Sequence, residues 1–96
     1  VRADCVRRLL SADVTFPNTR ATHERFEDIV RRVHPEDRAL FRENVEAALR
    51  SVDGGYRSVH RVLGPAGQVR WFSERGGVEF DDLRRPLRLV GVAQDV

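Results

Sequence analysis

The groups that could ligate a metal or relay a proton are Cys5, His23, His34 and His60, with acidic residues spread along the chain. None of the four stands at a recognised ligand spacing, so no metal site is expected. Ser11, Ser51, Ser58 and Ser73 lie in no nucleophile motif, and no pair of carboxylates stands out for glycosidase-like chemistry. Gly54-Gly55, Gly64 with Gly67, and Gly76-Gly77 lack the strand, loop and helix context of a phosphate loop. The chain is therefore read as non-catalytic.

Residues suited to recognition stand out more. Trp71 is open to two readings, an anchor at an interface or a core side chain. Arg61, Arg70 and Asp95 fall on strands expected to be neighbours, and Asp95 is expected to pair with one of the two arginines. A solvated pair of that kind is worth under about 1 kcal/mol. His34 precedes Pro35, so its ring is read as bonding locally at a helix start rather than as a ligand.

Helices come first and strands last among the elements that must position these residues. Residues 4 to 11 read as a short helix, with Asp4 as N-cap and Val6, Leu9 and Leu10 on one face. Ser11 to Arg20 shows no period and reads as a loop. Thr22 is the expected cap of a second helix, whose apolar stripe is Phe26, Ile29, Val30 and Val33. Proline disfavours helical geometry at the residue before it, so His34-Pro35 ends that helix. Pro35 then opens a third, with Phe41, Val45, Ala48 and Leu49 as its stripe and Asp53-Gly54-Gly55 as its end.

From Tyr56 the period becomes two. Tyr56, Ser58, His60 and Val62 alternate with Arg57, Val59, Arg61 and Leu63. The turn Gly64-Pro65-Ala66-Gly67 leads to a second strand, Val69 to Phe80, in which Gly76-Gly77 marks a bulge or a close approach by another backbone. Leu87 to Val96 is apolar on both sides, as a central strand would be. The expected fold is α+β, with three N-terminal helices packed on a small antiparallel sheet of three C-terminal strands.

Composition agrees with one folded domain over residues 1–96. With 41% hydrophobic and 33% charged residues, the chain has enough apolar surface for a modest core and too much for a disordered segment. No apolar run approaches the roughly 18 residues of a membrane span, and no secretory leader is visible. The chain starts at Val1 and holds no methionine, which reads as a fragment of a larger multidomain protein. Every basic residue is arginine, yet the net charge is only +2 because acids are interleaved with them. The nearest approach to a basic stripe is Arg84-Arg85 with Arg88. One cysteine excludes an internal disulfide framework and fits a reducing, cytoplasmic setting.

Four pieces line up in order: Val33-His34-Pro35-Glu36-Asp37-Arg38 opening a helix, His60-Arg61-Val62 ending a strand, Pro65-Ala66-Gly67 leading to Val69-Arg70-Trp71, and Gly91-Val92-Ala93-Gln94-Asp95-Val96. From about Phe26 to Val96 the chain resembles the PAS domains of bacterial signalling proteins, in the subgroup with a His-Pro-acid-acid-Arg helix start and an Arg-Trp second strand. The resemblance implies a non-catalytic sensory and dimerisation module in signal transduction, such as a two-component system. It would regulate a fused output domain: a histidine kinase, a cyclic-dinucleotide enzyme or an antiterminator. It also makes Asp95 similar to the family's terminal aspartate, a latch between sheet and output helix. Trp71, Arg61, Arg70 and Asp95 are thus the signalling and interface candidates.

Departures qualify the resemblance. Ala66 stands where the family usually has Asp, Arg84 where it often has Gly, and the end lacks one residue of Asp-Ile-Thr. A PAS sheet has five strands, the first two preceding the first helix. Only about three residues precede the first helix here, so those strands are expected to be missing or to lie outside the chain. That implies an exposed strand edge or apolar face, and a homodimer formed by strand exchange or edge pairing. Flavin-binding relatives use a cysteine in an Asn-Cys-Arg-type helix, which Cys5 is not, and haem-binding relatives use a histidine on the long helix, where residues 35 to 50 have none. The cofactor is left unknown, with a small apolar ligand or none as the options. One alternative is a ligand-free interaction module. Another is a basic nucleic-acid-binding domain using Arg84, Arg85 and Arg88.

Overall fold

The computed structural model describes residues 3–15 and 24–96. Helix α1 spans Ala3–Leu10, with Asp4 in its first turn and Arg7 and Arg8 in its last, matching the helix dipole. A helix of this length is marginal alone; burial of Leu9 in the core holds it in place. Two short strands follow, β1 (Asp13–Thr15) and β2 (Glu24–Arg25). Then come α2 (Phe26–Arg32), a 3-10 turn over Pro35–Asp37, α3 (Arg38–Glu46) and a second 3-10 turn over Ala47–Leu49. Strands β3 (Gly55–Leu63), β4 (Val69–Phe80) and β5 (Pro86–Asp95) complete the chain.

The strands form one mixed sheet in the order β2-β1-β5-β4-β3. β3, β4 and β5 are antiparallel neighbours, whereas β1 runs parallel to β5, with Asp13, Val14 and Thr15 beside Arg88, Leu89 and Val90. The α+β class expected from the sequence holds, but the sheet has five strands among the described residues, not three. β1 and β2 lie beyond α1, the first of them inside the stretch read as loop, and β1 pairs with β5 along Arg88–Val90. Three and two residues are too few to show a period; pairing with β5 and burial of Val14 make them strands. The expected helix cap Thr22, together with His23, falls outside the described residues. Helix α2 starts at Phe26, where the Asp28 carboxylate accepts from the Arg25 backbone N–H at 3.3 Å.

The helices cover one face of the sheet. Phe26, Ile29 and Val33 of the second stripe and Phe41, Val45 and Ala48 of the third are buried, and they meet Leu9, Val14, Tyr56, Val78 and Leu89 in one core. The Phe26 and Phe41 rings lie 5.5 Å apart. Val33 also forms an isolated bridge to Val62, which ties the end of the α2 segment to β3.

Gly67 closes the β3–β4 turn with φ +82°, a conformation open to glycine, while its N–H donates to the Gly64 carbonyl at 3.0 Å. Gln68 accepts from the Ala66 N–H at 2.9 Å. At Gly76 the expected close approach is present: an added Cβ would lie 2.5 Å from the Val90 carbonyl oxygen and 2.6 Å from the Tyr56 ring. The bulge offered as the other reading lies elsewhere, between Glu79 and Phe80.

Candidate functional site

Alternation sends Tyr56, Ser58 and His60 of β3 and Glu74 of β4 to the inner face, beneath the helices. All four are buried, and they form one polar cluster. The Tyr56 hydroxyl donates to Glu74 Oε1 at 2.5 Å, and His60 Nε2 lies 3.7 Å from Glu74 Oε2. Ser58 Oγ and His60 Nδ1 are 3.0 Å apart, and Asn44 of α3 reaches Ser58 Oγ at 3.4 Å. The His60 ring packs against Phe41 with centroids 4.5 Å apart. The empty side-chain position at Gly76 lets the Tyr56 ring lie against the sheet on its way to Glu74.

Burial sets the electrostatics of the cluster. Removal from water disfavours the charged form of each group. It pushes the Glu74 carboxyl up to about 7, against the pull of the Tyr56 hydrogen bond. It draws the His60 imidazole below its ordinary value, against the field of Asp37. Among the described residues, no buried side-chain nitrogen or oxygen lacks a partner.

A second site lies at the β3 edge. Asp37, in the 3-10 turn after Pro35, accepts from the Arg61 backbone N–H at 2.8 Å, from Nε at 2.9 Å and from Nη2 at 2.7 Å. Glu36 adds a contact to Nη2 at 3.2 Å. The Arg61 hydrogen bonds hold the Asp37 carboxyl well below the usual carboxylate range. His34 bonds locally, as expected: its Nδ1 accepts from the Glu36 N–H at 3.2 Å, while its own N–H donates to the Arg61 carbonyl at 2.9 Å.

Trp71 lies on the outer face of the sheet, 48% exposed, with the Arg61 guanidinium carbon 5.5 Å from its ring centroid. Its surface position excludes the core reading. Asp95 is paired with Arg70 of β4, not with Arg61. The four candidate residues therefore divide into two contacts, Arg61 with Trp71 and Arg70 with Asp95. Glu74 carries no signal in the sequence; Tyr56 and Ser58 are legible only as polar residues alternating with His60 on β3, and Asp37 only within the His-Pro-Glu-Asp-Arg segment.

The basic triplet is engaged inside the domain. Arg84 stacks on Phe80 at 4.0 Å and donates to the Ser51 carbonyl at 2.6 Å; Arg85 pairs with Asp81 and Arg88 with Glu79. An open groove of about 410 Å³ beside β3 and β4 is lined by Asp53, Gly55, Tyr56, Arg57, Arg75 and Gly76. No group of three or more metal-ligating side chains occurs among the described residues, and no described helix is long and apolar enough to cross a membrane.

Comparison with known proteins gives a consistent picture. The family model described as PAS fold matches residues 19–93. A sensory box histidine kinase/response regulator from Burkholderia thailandensis is similar in structure, with 34% identity and TM-score 0.60, over 67% of this chain and 48% of that one. A PAS domain from Colwellia psychrerythraea shares 18% identity at TM-score 0.56, over 67% of this chain and 54% of that one. The PAS domain of a GGDEF family protein from Chromobacterium violaceum has 30% identity at TM-score 0.44, over 81% of this chain and 72% of that one. The chain thus spans about half the length of the first two structures, 48% and 54%. No curated protein matches it.

Proposed function

The chain belongs to the PAS fold family, and on that premise we propose that it is a cytoplasmic sensory module that regulates a fused output domain and catalyses no reaction itself. The likeness to a sensory box histidine kinase/response regulator supports a histidine kinase as the kind of output. One observation carries the reading. β5 is the last strand, lies between β1 and β4, and has Leu89 in the core, while its final residue Asp95 is held by Arg70 of β4. A shift of the inner face is thereby passed to the end of the chain, where Asp95 acts as the latch. Homodimerisation belongs to the same proposal and is read by sedimentation of the purified chain.

The test is Asp95→Ala in the full-length protein that carries this module. Output activity should change while the melting temperature of the domain stays within the small range expected for an exposed ion pair. Unchanged output at unchanged stability overturns the latch.

A second reading, a ligand-free interaction module, is favoured by the full pairing of buried polar side-chain atoms among the described residues. Native mass spectrometry separates the two readings: a small molecule retained by the purified chain supports a ligand sensor, and a bare chain supports the interaction module.

A further inference from the structure

Building on the sensory reading, we propose that the buried Tyr56–Glu74–His60–Ser58 cluster is a proton-binding site, and that its occupancy sets how firmly β3 and β4 hold the helix layer.

The geometry isolates Glu74. It is 3% exposed on the inner face of β4, with Ser58 of β3 and Ala93 of β5 beside it. From β3, Tyr56 donates one hydrogen bond, and His60 stands 3.7 Å away, too far for another. From α3 come Phe41, against His60, and Asn44, against Ser58. From the 3-10 turn comes Asp37, whose charge acts on His60 and which Arg61 already holds. On β5, Asp95 lies two residues beyond Ala93 and is engaged by Arg70. Among the described residues, no arginine pairs with Glu74 in this arginine-rich chain. A buried carboxylate with no arginine beside it is costly, whereas the neutral acid is not. Below a midpoint near 7 the proton therefore resides on Glu74, and burial favours the neutral form of His60 beside it. Loss of the proton places a lone negative charge between the sheet and α3. The 3.4 Å Asn44–Ser58 hydrogen bond is the long link through which that charge loosens the helix layer.

The signs follow from the two shifts. Glu74 is raised from 4.5 to about 7, so the folded state holds a proton that the unfolded state has lost, and its contribution to stability falls as pH rises through that window. His60 is lowered from 6.5 and acts in the opposite sense below that pH. The His60 contribution is shared by wild type and Glu74→Gln and cancels in their ratio to first order.

Denaturant unfolding of both proteins between pH 4.5 and 8 is the experiment. The folding constant of Glu74→Gln relative to wild type should rise about tenfold per pH unit until the Glu74 midpoint and then level off. A ratio that is flat with pH overturns the proposal. Should the variant not fold, carbon-13 titration of the glutamate carboxyls in the wild-type chain decides: a midpoint near 7 supports the site, and midpoints all below 5 overturn it. Tyr56→Phe should move that midpoint higher, because the tyrosine hydrogen bond favours the ionised form. Failure of the sensory reading looks different: Glu74 titrates near 7 while output of the full-length protein ignores pH, which leaves the proton site standing.

Discussion

Arg61 grips Asp37 with two side-chain nitrogens and its own backbone N–H, and the same guanidinium lies 5.5 Å from the ring centroid of Trp71. One side chain thus joins the turn that opens α3 to the outer face of the sheet. The His-Pro-Glu-Asp-Arg segment gains a physical meaning here. His34 and Pro35 set the turn, and the turn delivers Asp37 to the outer edge of β3, beside the Val33–Val62 bridge.

Replacing Asp37 with Asn should lower the melting temperature more than replacing Arg61 with Lys, because Asp37 serves three donors and the lysine retains a charge. The Asp37 carboxyl is depressed below 3.8. Its contribution to stability is therefore present above that pH and lost as pH falls through the folded value, and Asp37→Asn should blunt this acid limb. Trp71 is the single tryptophan. A shift of its emission in Arg61→Ala checks the stacking, and unchanged emission would rule the contact out in solution.

At Gly76 any side chain meets the Val90 backbone and the Tyr56 ring. Gly76→Ala should cost about 1–3 kcal/mol or more, the range for forcing extra volume into packed structure. Because the Tyr56 ring must move along with the Val90 backbone, the variant should also raise the Glu74 midpoint. Urea unfolding with the carboxyl titration reads both.

Arg84 sits at φ +63°, in the left-handed region, where the family often has glycine. Strain and contacts oppose one another here. Arg84→Ala keeps the strain and loses the Phe80 stack and the Ser51 hydrogen bond, whereas Arg84→Gly loses the same contacts but relieves the strain. The glycine variant should therefore be the more stable of the two by about 1–2 kcal/mol. Equal stabilities would remove the strain argument.

Much of the architecture was legible because its signals are local. Helical spacing marked Phe26, Ile29 and Val33 and then Phe41, Val45 and Ala48, and each of these residues is buried. Pro35 and Gly67 carry their geometry in their covalent structure, so the α2–α3 break and the β3–β4 turn could be read directly. Period two marked β3 and placed Tyr56, Ser58 and His60 on one face without saying which face is buried. Only the tertiary structure decided that. The helices lie on that side, and so a tyrosine, a serine, a histidine and Glu74 share a dry site. β1 and β2 escaped notice because three- and two-residue strands exist only through their partners. The partner of Arg61 escaped notice because it lies 24 residues away on a turn, across a contact that no spacing encodes. Residue types and periods determined the elements, and the packing of those elements, a non-local free-energy balance, determined which charges meet and which are left without water.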